Sequence, residues 1–173
     1  MKKILTVIMG MLVCFAGCVA AGPRPPIELP FAVYQVGATV STDLRIVKKG
    51  PYKYPFYLNF MFDEKDGLDR ERVRKLVGSW GKNKVTGKSI EPGIPILLKL
   101  TISVIDPSGM QPFLEKEILV GDLCGFSAND FSREIDSIQL APGFYRVTVQ
   151  SLKDVPELAN TKVVFAIYNP RRK

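Results

Sequence analysis

The chain has 173 residues, 24 of them Lys or Arg against 17 Asp or Glu, for a formal net charge of +7; that length suits one domain with its own core. It contains no histidine, which removes the usual general base at neutral pH together with Ser-His-Asp, Cys–His and most zinc chemistry. The cations are spread along the chain without interleaved stacking aromatics, so nucleic acid is not an expected partner.

The first element in chain order is an export signal. Met1 is followed by Lys2 and Lys3, then by an apolar run from Ile4 to Ala16 broken only by Thr6 and Gly10. The run is too short to cross about 30 Å of hydrocarbon as a stable helix. It ends in Phe15-Ala16-Gly17-Cys18, with small residues at the two positions before a cysteine. This junction resembles the bacterial lipobox, departing from it at Phe15, where Leu, Val or Ile is usual. The resemblance implies that residues 1–17 are a cleaved lipoprotein signal peptide and that Cys18 carries the lipid at the start of the mature protein. Each buried CH₂ of its acyl chains, palmitate for example, contributes about 0.8 kcal/mol to anchoring. Cys14 follows bulky Val13 and is the poorer acceptor. Val19 and Ala20 stand where Asp would retain a lipoprotein at the inner membrane. The expected location is therefore the cell envelope, on the periplasmic face of the outer membrane.

Residues 18–30 read as a tether, because Pro23, Pro25, Pro26 and Pro30 favour extended conformations and prevent helix. At about 3.1 Å per residue such a tether holds the domain some tens of ångströms from the membrane.

From residue 31 to 170 the pattern is mostly strand. Ile96, Leu98, Leu100, Ile102 and Val104 alternate with a mixed face, as do Phe56, Leu58, Phe60 and Phe62, and then Tyr145, Val147 and Val149. Period two marks strands with one apolar face. Further strands are expected over Phe31–Val36, Leu44–Lys48, Phe113–Val120, Ser132–Leu140 and Lys162–Tyr168. Gly50-Pro51, Asp106-Pro107-Ser108-Gly109 and Ala141-Pro142-Gly143 supply turns between them. One helix fits, with Asp69 as N-cap, Val73, Leu76, Val77 and Trp80 at i, i+3, i+4 and i+7, and Gly78 or Gly81 as its stop. Arg70, Arg72, Arg74 and Lys75 then face outward, and the Lys- and Gly-rich stretch 81–93 reads as a mobile loop. Short strands with half-polar faces point to a mainly β fold, an antiparallel Greek-key, immunoglobulin-like β-sandwich with one short helix.

The motif that speaks for that fold is Leu140-Ala141-Pro142-Gly143-Phe144-Tyr145. Its spacing resembles the tyrosine corner of Greek-key sandwiches, in which the hydroxyl bonds a backbone group a few residues upstream. Little speaks for catalysis. The acidic run Asp63-Glu64-Lys65-Asp66-Gly67-Leu68-Asp69 lacks the alternate-residue spacing and distal Glu of a calcium loop, and reads as a strand-to-helix turn. No phosphate-binding loop or nucleophile elbow is present. With Cys14 removed and Cys18 acylated, Cys124 has no disulfide partner and is expected as a small buried hydrophobe. No cofactor, no metal and no catalytic residue is assigned, so the protein is not expected to be an enzyme.

The layout from about Phe31 to Pro170 resembles a family of small proteobacterial lipoproteins known as domain of unknown function 5625. The stretches that carry the likeness are Tyr57-Leu58-Asn59-Phe60-Met61-Phe62, Arg74 to Trp80, Gly93 to Leu100, and Leu140 to Val147. The resemblance implies a lipid-anchored, exported β-domain and supplies no activity. What remains is a periplasmic protein-binding module, immunity or inhibitor-type by fold-level analogy; the alternative is a structural component of an envelope or secretion complex, and a ligand carrier ranks below both. The expected contact surface is basic: Arg70, Arg74 and Lys75 on the helix, with Lys82, Lys84 and Lys88 on the adjoining loop. Its partners are the membrane, through the lipid, and a protein drawn to those charges.

Overall fold

The computed structural model describes residues 22–47, 49–50, 52–63, 65–79, 81 and 90–170. Among the described residues, nine strands and one α-helix follow in the order β1 (Ile27–Pro30), β2 (Thr39–Ile46), β3 (Lys53–Met61), α1 (Gly67–Val77), β4 (Leu97–Asp106), β5 (Gly109–Leu119), β6 (Leu123–Phe126), β7 (Asp130–Gln139), β8 (Gly143–Ser151) and β9 (Val163–Ile167). A single 3-10 turn, Pro156–Leu158, precedes β9. One sheet has the order β1-β9-β3-β7-β6 and the other β2-β8-β4-β5, all pairs antiparallel. The chain changes sheet at every connection except the β4–β5 and β6–β7 hairpins.

Alternation in the sequence becomes facing in the structure. Phe56, Leu58, Phe60 and Phe165 of the five-stranded sheet share one core with Leu44, Leu98, Leu100, Ile102, Val147 and Val149 of the other, and all are fully buried. Two sheets closing on a common apolar layer are consistent with a β-sandwich. Each such side chain contributes roughly 1.5–3 kcal/mol on burial. The alternation of β3 opposite β7 survives a bulge: Phe56 pairs with Asp136 but Tyr57 with Glu134, leaving Ile135 as the extra residue.

Several expectations change. The strand expected at Phe31–Val36 is a series of turns, although Phe31 and Val33 are buried. The strand lies just before it, in the segment read as tether. Ile27–Pro30 pairs with β9 from Ile27↔Ile167 to Pro30↔Val164. Prolines are compatible with that role because β1 is the sheet's edge strand, whose outward side needs no donor. Upstream, Pro23 O accepts from Arg45 N at 2.9 Å and Pro25 O from Asn169 Nδ2 at 3.2 Å. The tether expected over residues 18–30 is thus docked from Pro23 onward; residues 18–21, Cys18 included, lie outside the described residues. β2 begins at Thr39 rather than Leu44, paired along its length with β8.

The helix is also capped differently. Asp66 is the N-cap and its carboxylate accepts from Leu68 N at 2.9 Å, one of the donors a helix start leaves free. Asp69, the expected cap, lies inside the first turn and accepts from Asp63 N at 2.8 Å. Gly78 ends the helix at φ +89°, a conformation that favours glycine. Trp80 lies outside the described residues. Cys124 is exposed rather than buried, because it sits in β6, the short edge strand that the sequence did not announce.

Candidate interaction surface

Register divides the molecule into two ends. Met61 pairs with Asp130 and Lys53 with Gln139, Ile46 with Gly143, and Ile105 with Phe144. One end therefore gathers α1, residues 78–96 and the β6–β7 turn. The opposite end gathers residues 24–26, the β2–β3 loop, the β4–β5 turn, the β7–β8 corner and residues 168–170. Strands of nine or ten residues at about 3.3 Å each separate the two by roughly 30 Å.

At the helix end, Val73 and Val77 are fully buried and fix α1 against the sandwich. That spacing, i and i+4, turns Leu68 and Lys75 outward, while Arg70, three residues before Val73, stands on the flank of the buried face; all three are exposed. Leu68 is 83% exposed, a large apolar side chain held in water. The Arg70 guanidinium carbon lies 5.7 Å from the Phe62 ring centroid and 6.0 Å from that of Phe131, so the charge rides on an aromatic platform. Arg74 is held by Glu71 at 3.0 Å and Glu91 at 3.2 Å. The hydrogen bond from Arg74 lowers the pKa of Glu71, and the hydrogen bonds that Arg74 donates to Glu71 and Glu91 raise its own. Arg72, expected to face outward, instead lies against the fold. It donates to Asp69 Oδ1, Thr161 Oγ1 and Asn160 O. The pKa of Asp69 is lowered, first by the Asp63 backbone bond and then by Arg72.

The surface is therefore less basic than composition suggests. Of the six expected contact residues, Arg70, Arg74 and Lys75 share α1, and Arg74 is matched by two carboxylates. Lys82, Lys84 and Lys88 lie outside the described residues. The base of their loop is fixed, however. Gly78 forms a bridge with Pro92, Ser79 N donates to Glu91 O, Ile90 N to Gly81 O and Ile94 N to Leu76 O. At Gly93 an added Cβ would stand 2.3 Å from Val77 O, so only glycine allows this closure.

Beneath this end lies a residue that sequence reading passed over. Arg133 is 3% exposed and donates to Gly121 O at 2.7 Å, Ile94 O at 2.7 Å and Val120 O at 3.0 Å. One guanidinium thus ties β7 to the β5–β6 corner and to the segment entering β4. Burial lowers its pKa. The sequence signal was an Arg at an inward position of Phe131, Arg133 and Ile135.

At the opposite end, Tyr145 Oη donates to Ala141 O at 2.9 Å, four residues upstream as the corner spacing requires. Phe113 stands edge-on to the Tyr145 ring, centroids 5.9 Å apart. Phe113 is the extra residue of a β5 bulge, since Ile102 pairs with Leu114 and Ser103 with Pro112. Phe113, Tyr145, Leu140, Pro142 and Lys49 line an open cleft of about 380 Å³. On the neighbouring sheet, Cys124 Sγ donates to Ser132 O at 3.3 Å, and partial desolvation of the thiol on this otherwise exposed residue, with the nearby Glu134 charge, pushes its pKa up to about 11. Such a thiol is a poor nucleophile at neutral pH. The carboxylates of Asp63 and Asp66 accept from Lys65 N and Leu68 N, which is turn and cap chemistry.

Comparisons with known proteins bear on family and fold. A family model described as "Domain of unknown function (DUF5625)" matches residues 28–169. No curated protein matches the chain. A crystal structure of a protein from Sulfurospirillum deleyianum is similar at 23% identity and a TM-score of 0.71, covering 85% of this chain and 98% of that one. At that identity the likeness speaks for the fold alone.

Proposed function

The chain belongs to the DUF5625 family, and from that premise we propose that it is a lipid-anchored envelope protein, held at the periplasmic face of the outer membrane through Cys18, that works by binding a protein partner at its helix end. The observation that carries this reading is α1, a helix that buried Val73 and Val77 hold against the sandwich and that leaves Leu68, Arg70 and Lys75 exposed. A packed helix that exposes a large apolar residue and two cations suits an acidic partner with a small hydrophobic pocket. An immunity or inhibitor role fits such a surface, because capture of an incoming effector needs no catalytic group. No catalysis is assigned, since the sequence lacks histidine and the acidic turn is occupied by its own backbone. The same reading takes the sandwich as Greek-key and immunoglobulin-like, which the tyrosine-corner hydrogen bond supports.

The test begins in cells, with crosslinking and mass spectrometry of what stays bound to the anchored protein. Partner affinity is then measured for the native protein and for Arg70→Glu/Lys75→Glu at two salt concentrations. The native complex should weaken as salt rises, because exposed charges are screened over about 8 Å at physiological ionic strength. The double variant should bind roughly tenfold more weakly with a flatter salt dependence. Equal affinity and equal salt response would retire the helix end.

A second reading, a structural part of an envelope complex, has β5 in its favour. This edge strand is exposed along most of its eleven residues, and a partner strand could extend the sheet there.

A further inference from the structure

The end opposite α1 exposes cations and apolar side chains together. Arg24, Lys49 and Lys53 are exposed there, and Arg45 lies half-buried over the Phe144 ring at 5.5 Å. The neighbouring carboxylates are already engaged. Asp43 takes a two-pronged pair from Arg146 at 2.8 and 3.0 Å, Asp136 is paired with Lys116, Asp106 accepts from Ser108 N and Oγ, and Glu28 accepts from Tyr168 Oη. Hydrogen bonds from neutral donors leave Asp106 and Glu28 charged, but Arg24, Arg45, Lys49 and Lys53 outnumber them and set the sign of the surface. Among them stand exposed apolar side chains, Val47, Met110 (51% exposed) and Phe113 (49%). Asn169 is bonded to Pro25 at this same end.

The second line of argument is the reach of the anchor. This part rests on the reading of Cys18 as the lipidated residue. The segment that looked like a long tether is docked from Pro23, and Gly22 lies against Asp43, Leu44 and Arg45. Only four residue steps separate Gly22 from Cys18. A chain spans at most about 3.6 Å per residue, so the lipid attachment point lies within roughly 14 Å of Gly22. Gly22 lies beside the middle of β2, four residues or about 13 Å from its Thr39 end, so the attachment point is confined to the β2 edge of the molecule.

We propose that the end formed by Arg24, Lys49, Lys53 and the exposed Met110 and Phe113 is a membrane-contact face that takes the headgroups of an anionic phospholipid surface. Cations near such a surface are drawn to it over about a Debye length, and the apolar side chains between them enter the headgroup layer. The short anchor and the cationic face then hold the domain upright, with α1 pointing away from the bilayer. The face also gives the cleft beside Tyr145 a setting, because Lys49 and Phe113 belong to its lining.

The experiment uses the full chain, purified with its native processing and mixed with vesicles of phosphatidylcholine alone or with added phosphatidylglycerol. With Cys124 replaced by Ser, a fluorophore is placed at Met110→Cys in one sample and at Leu68→Cys in another. Flotation reports attachment, and quenching by nitroxide-labelled lipid reports which end meets the bilayer. The expected result is flotation with both vesicles, and several-fold stronger quenching at position 110 than at 68 only where the lipid is anionic. Arg24→Glu/Lys49→Glu/Lys53→Glu should abolish that difference while leaving the thermal midpoint unchanged. Flotation with both vesicles but equal quenching at the two positions overturns the face and keeps the anchor. Flotation with anionic vesicles alone overturns the anchor and supports the face. Flotation with neither overturns both.

Discussion

Arg133 stands where period-two alternation reserves a place for an apolar side chain, and its three carbonyl partners explain how a charge is tolerated there. Each N–H···O bond from a cation is worth more than a neutral one, and burial makes its loss costly. Arg133→Met should lower unfolding free energy by about 3–5 kcal/mol, since three carbonyls lose their donor in a buried corner. Arg133→Lys should recover little, because one ammonium does not reproduce a planar fork. A denaturant midpoint within error of the native one for the Met variant would mean that water replaces the guanidinium. Tyrosines carry the other residue-scale prediction. Burial raises the pKa of Tyr54 and Tyr145 above 10.0, and that of Tyr168 to about 12. A group whose folded pKa is raised supplies stability below its unfolded pKa and loses it as pH rises through the folded one. Urea midpoints should therefore hold steady through neutral pH and fall between pH 10 and 12, and Tyr168→Phe should remove part of that fall. None of this was legible from composition. Tyr145 was, because Leu-x-Pro-x-x-Tyr has a fixed geometry, whereas Arg133 required knowing which carbonyls the β5–β6 corner leaves without partners.

Elements were legible in proportion to their length and the contrast between their faces. β3, β4 and β8 have nine or ten residues with one largely apolar face, and they lie where alternation predicts. β6 has four residues, one of them Gly125, too few for a period to register, so Cys124 was misplaced with it. β1 was hidden by prolines, whose reading as tether follows from propensity and was overridden by edge-strand pairing to β9. In α1 the apolar spacing identified the helix, but three aspartates compete for its start, and the side chain that reaches Leu68 N decides the cap. The basic patch was legible as six charges; its partial neutralisation was not, because Glu91 reaches Arg74 from seventeen residues away. The closure that brings Glu91 there depends on Gly93. With a Cβ 2.3 Å from Val77 O, Gly93→Ala must push α1 and β4 apart, and a loss of about 2 kcal/mol or more is expected from such strain. Gly67→Ala, where nothing lies within 4 Å, is the control and should leave stability unchanged or slightly raised. Thermal melts of the two variants compare them directly, and equal midpoints would show that the loop base relaxes freely.

For the whole molecule, the consequence of β1 is that the family's domain starts earlier than the change in composition suggests. A chain beginning at residue 31, the boundary that hydropathy patterning favours, lacks the strand that covers β9. All five residues of β9 are buried, and the family match itself begins at residue 28. Removing β1 takes away the burial of Ile27, worth roughly 1.5–3 kcal/mol, along with the backbone pairing from Ile27↔Ile167 to Pro30↔Val164. It also bares one side of a β-branched, uncharged strand, Val163-Val164-Phe165-Ala166-Ile167, which is the pattern that invites edge-to-edge association. The prediction is that a chain starting at residue 31 melts well below one starting at residue 22 and elutes as oligomers in size-exclusion chromatography, whereas the longer chain is monomeric. Restoring residues 22–26 should matter less than restoring 27–30, since Pro23 O and Pro25 O contribute single hydrogen bonds and β1 contributes a strand. If the two chains instead share one midpoint and one elution volume, residues 23–30 revert to a tether, the attachment point at Cys18 gains some tens of ångströms of reach, and the orientation argued for the domain loses its geometric basis.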